Sequence, residues 1–350
     1  MGESESPAGY PGRHALGGLL RHAARELFAQ DPGVFSVGIG TGKLGYELVA
    51  LRQQNKARQS LSWLQALDLS TATSFDTPTH VEGIPVRTFH ARSIPSSLGS
   101  AGAAPGATPP EQTTQRPLVC GLRIQNVDHD QRLGKLAEGR KTNGTLGCFV
   151  HLPDGRLALL SNNHVIAGEN QGRRNQDRIL QQANLSFDPA LHVATLTDFV
   201  DLEFSSISDT YDTAKLNTVD AAIAALEPGL VPYQQFHASR RLPPTTGWGD
   251  AHNGDPVFMV GAQSGHRRGT VTQEIVITTI DYGPHMCWFE DSMVIESADG
   301  RPFAVHGDSG AIVVRESDSA VVGLVYAASE TQAWACPIRS ALDALGTRLA

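Results

Sequence analysis

Three polar residues, far apart in the chain, have the types that nucleophilic catalysis needs. Ser309 stands in a Gly-Asp-Ser-Gly turn directly before an apolar run that predicts a buried strand. His164 follows the apolar strand pattern that ends in Leu-Leu-Ser-Asn-Asn, and Asp220 precedes the apolar segment 221–226. A serine nucleophile needs a base to take its proton and a carboxylate to orient that base. The three residues therefore form a candidate catalytic triad.

The turn around Ser309 can also supply an oxyanion hole. Gly307 can bring its backbone N–H beside that of Ser309, so that two donors point at one acceptor. Each residue alone has an ordinary explanation: a histidine in an apolar segment is usually structural, and an aspartate before an alanine-rich segment is often a helix cap. It is the combination, in this order, that favours catalysis.

The carboxylate is the least constrained member of the triad. Four other aspartates lie nearby in the sequence and compete with it: Asp198, Asp201, Asp209 and Asp212. Asp220 is preferred because the apolar residues around it would hold its carboxylate rigidly.

The order His, Asp, Ser, with the Gly-Asp-Ser-Gly turn, resembles the trypsin-like (chymotrypsin-fold) serine peptidases, in their intracellular bacterial and plant branch. The resemblance covers roughly the last two thirds of the chain. It implies a mainly β fold with two six-stranded antiparallel β-barrels, preceded by a small α+β domain. It also implies hydrolysis of a peptide or protein substrate through an acyl-enzyme.

The same resemblance implies where the substrate lies. The strand pattern 320–329 corresponds to the strand that borders the substrate and lines the specificity pocket. The implied substrate-binding residues are Ala304, His306, Tyr326, Ala327 and Ala328. Trypsin carries an acidic residue a few positions before its nucleophile, whereas residues 302–305 read Pro-Phe-Ala-Val. We therefore expect a neutral or apolar pocket, with His306 either lining it or packing under the turn.

Asp308 belongs to the family's motif. In secreted trypsins this carboxylate can pair with an amino terminus that activation cleavage frees, but no equivalent start sequence follows the predicted linker. We therefore expect Asp308 to have another partner.

Composition narrows the classes of function. The chain has 350 residues, 40% of them hydrophobic, and a formal net charge of −8. The acidic balance argues against general affinity for nucleic acid or anionic membranes, and the short arginine pairs at 173–174, 240–241 and 267–268 indicate solvated loop charges. No apolar run is long enough to span a bilayer, and residues 1–12 lack the apolar core of a secretory signal. We expect a cytoplasmic protein.

The cysteines and potential ligands support the same expectation. Cys120, Cys148, Cys287 and Cys336 form no C-x-x-C pair. In secreted trypsins a cysteine comparable to Cys148 is bridged to the residue after the histidine, which here is Val165, so we expect four reduced thiols. The chain has no H-E-x-x-H motif, and neither a metal nor another cofactor is expected.

The remaining patterns predict the elements that would position these residues. Residues 1–12 are expected to be disordered. The patterns that follow predict an α+β domain over 13–93, with helices over 13–29 and near 56–67 and strands at 34–40, 46–51 and 84–89. Residues 94–116, rich in Ser, Gly, Ala, Pro and Thr, predict a flexible linker, and 117–350 the peptidase domain. Within that domain, Asp154-Gly155 predicts the hairpin that delivers His164, and a helix over 340–349 closes the chain.

Three functions are compatible with these patterns. The first is a serine endopeptidase, with regulatory contacts to its own N-terminal domain or to a partner protein. The second is a catalytically silent trypsin-like module that binds peptides. The third is a hydrolase of small esters or amides with the same triad, since a fold does not fix its substrate.

Overall fold

The computed structural model describes residues 13–31, 33–42, 45–53, 80–81, 84–91, 96–97, 108–206, 211 and 215–350. The predicted disordered terminus over 1–12 and the predicted helix near 56–67 lie outside these residues. The same is true of Asp209 and Asp212.

The described residues are mainly β, as predicted. The α-helices are α1 (Arg13–Gln30), α2 (Val127–Arg132), α3 (Asn163–Ile166) and α4 (Ile338–Ala344). The strands are β1 (Val34–Gly42), β2 (Gly45–Gln53), β3 (His80–Val81), β4 (Ile84–Ala91), β5 (Ser96–Ser97), β6 (Leu118–Cys120), β7 (Arg123–Asn126), β8 (Gly144–Thr145), β9 (Cys148–His151), β10 (Leu157–Ser161), β11 (Arg178–Gln181), β12 (His192–Phe199), β13 (Leu216–Asn217), β14 (Ala222–Leu226), β15 (Pro232–Phe236), β16 (Pro256–Gly261), β17 (Gly265–Tyr282), β18 (His285–Ser297), β19 (Ile312–Arg315), β20 (Val321–Ala328), β21 (Gln332–Pro337) and β22 (Arg348–Leu349).

The C-terminal half forms a closed barrel of six strands. The hydrogen-bonded order runs β18-β21-β20-β19-β16-β17, and a further pairing of β17 with β18 completes the ring. All six strands pair antiparallel. Closure leaves the barrel without free edges along the ring, and its inward-facing valines, isoleucines and alanines fill the interior. This is the second of the two predicted barrels.

The preceding region forms the other antiparallel sheet. Its order is β22-β9-β10-β14-β12-β11-β7-β8, in which six strands have at least four residues and β8 and β22 have two. The predicted hairpin is present: β9 pairs with β10 across the turn that holds Asp154 and Gly155. One apolar core, which includes Phe149, Leu160, Leu324 and Tyr326, runs from this sheet into the barrel. The candidate site lies where the two meet.

The N-terminal strands extend the barrel sheet. Strand β1 pairs antiparallel with β17, and β2, β4 and β3 follow in order. One face of α1, with Leu20, Ala23 and Leu27, packs against β1 and against Ile275 and Ile277 of β17. The described part of the N-terminal region therefore shares a sheet and a core with the barrel.

The C-terminal end of the chain departs from its predicted helix. Helix α4 is only seven residues long and ends at Ala344, and the left-handed backbone of Gly346 (φ +61°) then turns the chain back. Arg348 and Leu349 pair with β9 as β22. A terminal amphipathic pattern cannot distinguish a helix from a short strand that an existing sheet recruits.

Most of the arginines predicted as solvated loop charges are paired with acids, and for the pair 267–268 the prediction was wrong, because both lie in β17 and Arg267 is buried. Arg174 binds Asp198, Arg240 binds Glu111 and Arg268 binds Glu316. Among the described helices, none is long and apolar enough to cross a membrane.

Candidate active site

The imidazole of His164 and the carboxylate of Asp220 form the centre of the site. Helix α3 presents His164 just after β10, and Asp220 precedes β14, the strand paired with β10. The His164 Nδ1 to Asp220 Oδ2 distance is 2.5 Å, and the backbone N–H of His164 donates to Asp220 Oδ1 at 3.2 Å. This contact assigns the Nδ1 proton as the donor to the carboxylate, which places the acceptor lone pair on Nε2. This is the tautomer that a general base requires.

Two further side chains fix Asp220 from the other side. The hydroxyl of Tyr282, the last residue of β17, donates to Asp220 Oδ2 at 2.7 Å, and the side-chain amide of Asn162 donates to the backbone carbonyl of Asp220 at 2.6 Å. Burial, followed by the charge of Asp220, raises the pKa of Tyr282 well above its ordinary value. The phenol therefore keeps its proton and acts as a donor. Its ring meets the His164 imidazole edge to face at 5.9 Å.

The rival aspartates that the structure describes lie elsewhere. Asp198 accepts from Arg174 Nε at 2.7 Å, and the Asp201 carboxylate is 3.9 Å from the same guanidinium. Both side chains are more than half exposed. Asp220, with no exposed surface, is the aspartate that contacts His164.

An asparagine pair clamps the turn that carries His164. Asn163 Nδ2 donates to Asn170 Oδ1 at 2.7 Å, and the backbone N–H of Asn170 donates back to Asn163 Oδ1 at 3.0 Å. The end of this turn has three consecutive residues in the left-handed region: Gly168, Glu169 and Asn170, with φ values of +55°, +57° and +71°. Such a run is costly for residues with a Cβ atom, so the clamp stabilises a conformation that the chain alone disfavours.

A cavity of about 110 Å³ borders His164. Its lining includes His129, Lys135 and Glu169. His129 is 6% exposed, and its Nε2 has no hydrogen-bond partner among the described residues. Burial, then the charge of Lys135, lowers the pKa of His129, and burial raises the pKa of Glu169. The turn that carries His164 is thus bordered on one side by a cavity whose lining includes titratable side chains.

The turn around Ser309 is held by backbone contacts from both sheets. Its carbonyl accepts from the backbone N–H of Thr145 at 2.8 Å, and the N–H of Gly310 donates to Val325 at 2.9 Å. Gly310 has φ +89°, and a Cβ atom there would lie 2.3 Å from both the Ser161 hydroxyl and the Thr145 carbonyl oxygen. Only glycine fits this position.

Gly307 has the conformation of a turn residue, with φ +100°. Its carbonyl oxygen accepts from the Thr145 hydroxyl at 2.9 Å, and this hydroxyl itself accepts from the backbone N–H of Ala262 at 2.9 Å. With its carbonyl oxygen engaged by the first sheet, the orientation of Gly307 is set by the packing of one sheet on the other.

Asp308 has the additional partners that the sequence required. Its Oδ1 accepts from the backbone N–H groups of Gln263 and Ser264, both at 2.9 Å, and its Oδ2 from the Ser264 hydroxyl at 2.5 Å and the Val305 N–H at 2.9 Å. Burial raises the pKa of Asp308 in spite of these bonds. These four donors hold the nucleophile turn.

Gly144 brings the serine turn and the histidine turn together. A Cβ atom on Gly144 would lie 2.5 Å from Val165 Cγ1 and 3.0 Å from the carbonyl oxygen of Ser309. Val165 follows His164 in the chain, so the backbones that carry base and nucleophile converge on one point of β8. Ser309 has no exposed surface and His164 is 7% exposed.

The predicted substrate-binding residues differ in their exposure. Ala304, Ala327 and Ala328 are buried and His306 is exposed. Tyr326 directs its hydroxyl to Ser292 at 2.7 Å, and its ring lies 4.5 Å from that of Phe289. Its side chain thus belongs to the core. The backbone of Ala327 and Ala328 is paired with β5.

The four cysteines all fall in the described part of the chain, and all are free and buried. No two of them are bridged. Within the described ranges, no cluster of three or more His, Cys, Asp or Glu side chains could hold a metal ion.

Sequence reasoning did not find several residues that hold the site together: Asn163, Asn170, Thr145, Ser264 and Tyr282. Tyr282 is 62 positions from Asp220 and ends an ordinary strand pattern. Of this group only Asn163 carried a signal, because it adjoins His164 in an Asn-Asn pair.

Comparison with known proteins finds no matching family model and no matching curated sequence. Among solved structures, the chain is similar to Thermobifida fusca protease A, with 15% identity, a TM-score of 0.41, and 59% of this chain and 91% of that chain covered. It is also similar to the Nocardiopsis protease NAPase, with 13% identity, a TM-score of 0.44, and coverage of 66% and 98%. For Cellulomonas bogoriensis chymotrypsin the values are 16%, 0.40, 59% and 90%. At this level of similarity, function is inferred from the geometry of the site itself.

Proposed function

We propose that the chain is a serine endopeptidase that hydrolyses peptide bonds through an acyl-enzyme. The observation that carries the proposal is the buried 2.5 Å contact between His164 Nδ1 and Asp220 Oδ2, next to the turn that bears Ser309. A structural histidine has no need of a dedicated buried carboxylate, and that carboxylate has a further donor in Tyr282. Both features are those of a base that must become an imidazolium during turnover.

The residues have defined roles in the proposed reaction. The Ser309 hydroxyl attacks the substrate carbonyl carbon, and His164 Nε2 takes the hydroxyl proton and then delivers it to the leaving amine. Asp220 stabilises the imidazolium, and the N–H groups of Gly307 and Ser309 hold the oxyanion. Water then attacks the acyl-enzyme with His164 again as the base.

The proposed pocket is neutral or apolar. The two acidic residues that most closely precede the nucleophile in sequence are already engaged: Asp299 accepts from Arg267 at 2.9 Å, and four donors surround Asp308. Neither offers a carboxylate to a substrate Lys or Arg. In a library of peptides that differ at the residue before the scissile bond, we expect cleavage after apolar residues, and strict cleavage after Lys or Arg would contradict the pocket.

The proposed compartment is the cytoplasm. The proposal is supported by four buried free thiols, because small secreted domains more often use disulfides. Fractionation of the source cells, with an antibody to the chain, would test it.

Labelling with a fluorophosphonate tests the proposed chemistry directly. We expect the probe to label the native chain at Ser309 and to fail on Ser309→Ala and on His164→Ala. Ser317→Ala, an exposed serine eight positions further on, is the matched control and should be labelled like the native chain.

The outcomes separate the three candidate functions. Labelling with peptide cleavage supports the endopeptidase. Labelling with turnover of small esters but no cleavage of any peptide would favour the small-substrate hydrolase. A folded native chain that no probe labels would favour the peptide-binding module.

A further inference from the structure

The short strand β5 pairs with the C-terminal end of β20. Ser97 lies opposite Ala327 and Ser96 opposite Ala328, in antiparallel register. On its other side, Ser96 pairs with Asp281 at the end of β17. The next residue of β17 is Tyr282, the donor to Asp220. Two residues of the predicted linker thus fill a slot between β20 and the strand that supports the triad.

This slot exists because β19 stops short of the end of β20. Strand β19 pairs with β20 only as far as Ile312 and Leu324, and the backbones of Gly310 and Ala311 then bond to Val325. Beyond this point the same edge of β20 has no β19 partner, and its backbone groups are available to an added strand. Adding an extended segment to such an edge is a general mode of peptide recognition.

The direction of β5 suits an acyl donor. Both β5 and β19 run antiparallel to β20, so β5 points along β20 towards the Ser309 turn. Ser97 is opposite Ala327, two residues from Val325, whose carbonyl accepts from Gly310. At about 3.4 Å per residue, the segment ends roughly 7 Å along the strand from that contact. A substrate that presents its carbonyl to Ser309 would lie along β20 in the same direction as β5.

The burial of the nucleophile and of the two alanines supports the presence of a resident segment. Ser309 has no exposed surface, Ala327 none, and Ala328 6%. A nucleophile that meets a second molecule must be reachable, so part of the chain has to move before an external peptide is bound.

We infer that the chain's own segment Ser96–Ser97 is a resident ligand of the β20 edge at Ala327 and Ala328, and that it occupies the place of an external peptide in the resting chain. The inference rests on the proposed endopeptidase function and adds the occupant and the substrate class. The surface takes an extended backbone with small uncharged residues opposite the two alanines. In the resting chain the segment competes with external substrates.

Tethering makes this competition effective. A segment that belongs to the same chain as its site acts at an effective concentration of the order of 1 mM. If the free segment binds with a Kd of about 0.1 mM, the tethered segment fills the site about tenfold more often than it leaves it empty. The apparent affinity of an external peptide is then lower by about the same factor.

The test is a substitution in the full chain. Ser97→Pro removes a backbone N–H and disfavours strand pairing, and Thr108→Pro, an exposed residue of the same predicted linker, is the matched control. We expect Ser97→Pro to raise kcat/KM on an external peptide about tenfold, mainly through KM, and Thr108→Pro to leave it unchanged. Removing the N-terminal region would be a poorer test, since it would also expose the apolar face of β17.

A second experiment uses the segment as a separate peptide. The peptide Arg-Ser-Ile-Pro-Ser-Ser-Leu-Gly-Ser, residues 92–100, should competitively inhibit Ser97→Pro or be cleaved by it, and a scrambled peptide should do neither. In the Ala327–Ala328 segment of β20, exchange of the amide that faces β5 should be faster in Ser97→Pro than in the native chain, with the exchange of β16 and β19 unchanged. This measurement also shows whether the variant is folded.

The results distinguish the proposed peptidase function from the proposed resident segment. Equal kcat/KM and equal exchange for the native chain and a folded Ser97→Pro, both labelled at Ser309, would overturn the resident segment and leave the peptidase intact. No labelling of Ser309 in any folded variant would overturn the peptidase and the inference with it. If Ser97→Pro does not fold, the peptide is tested on the native chain, where failure to inhibit at millimolar concentration counts against the inference.

Discussion

Tyr282 offers a sharp test of how the site is organised. Its hydroxyl donates to Asp220 Oδ2 at 2.7 Å in a buried position, and Tyr282→Phe removes that hydroxyl while keeping the ring that packs against His164. A hydrogen bond to a charged group is worth about 1.5–3 kcal/mol. We expect the free energy of unfolding to fall by about this amount, measured by urea titration.

Catalysis should suffer as well, because Tyr282 positions the carboxylate that steadies the imidazolium. A loss of about 1.4 kcal/mol in the transition state lowers the rate about tenfold. We expect Tyr282→Phe to lower kcat on a peptide substrate by about this factor with little change in KM, since Tyr282 acts through Asp220. The pH profile of kcat should change in the same variant, whereas a purely structural role would leave it unmoved.

Tyr326 supplies the matched control. It is equally buried, and its hydroxyl bonds to Ser292 at 2.7 Å, a neutral partner outside the triad. Tyr326→Phe should cost only about 0.5–1.5 kcal/mol of stability and leave kcat and its pH profile unchanged. Equal losses of kcat in the two variants would refute the role of Tyr282. So would a Tyr282→Phe effect that persists at full size in an Asp220→Asn background.

Three further predictions concern stability and reactivity. Burial alone would raise the pKa of Asp177, but hydrogen bonds, chiefly from Arg132, hold this pKa below its usual value. The carboxylate therefore adds stability above about pH 3.9, and this stability is lost on acidification. The urea midpoint should fall less steeply towards pH 3 in Asp177→Asn than in the native chain. Burial raises the pKa of Cys148 and of Cys336 to about 12, so iodoacetamide at pH 8 should modify these thiols only after unfolding, and rapid modification of the native chain by mass spectrometry would contradict their burial. Gly310→Ala should cost about 2–5 kcal/mol and abolish probe labelling, whereas a stable, labelled variant would show that the turn tolerates a side chain.

The local patterns of the sequence were sufficient for most of the fold. Alternating and continuous apolar runs predicted the strands that became β1, β2, β10, β19 and β20, and Asp154-Gly155 predicted the hairpin before His164. These signals succeed because side-chain periodicity and turn chemistry act over a few residues. Where an element owes its state to a distant partner, prediction failed: Arg348 and Leu349 form a strand only because β9 is there to pair with them.

The sequence by itself determined the chemistry that is available: a serine between glycines, a histidine after a strand, and an aspartate before another. Only the tertiary structure decided which aspartate meets the histidine, because Asp220 and its rivals differ in their position on the sheets rather than in local sequence. It also decided the partners of Asp308, the role of Tyr282, and the pairing of Ser96–Ser97 with β20. Each is a hydrogen bond between segments tens to hundreds of residues apart, and no local pattern encodes where such segments meet.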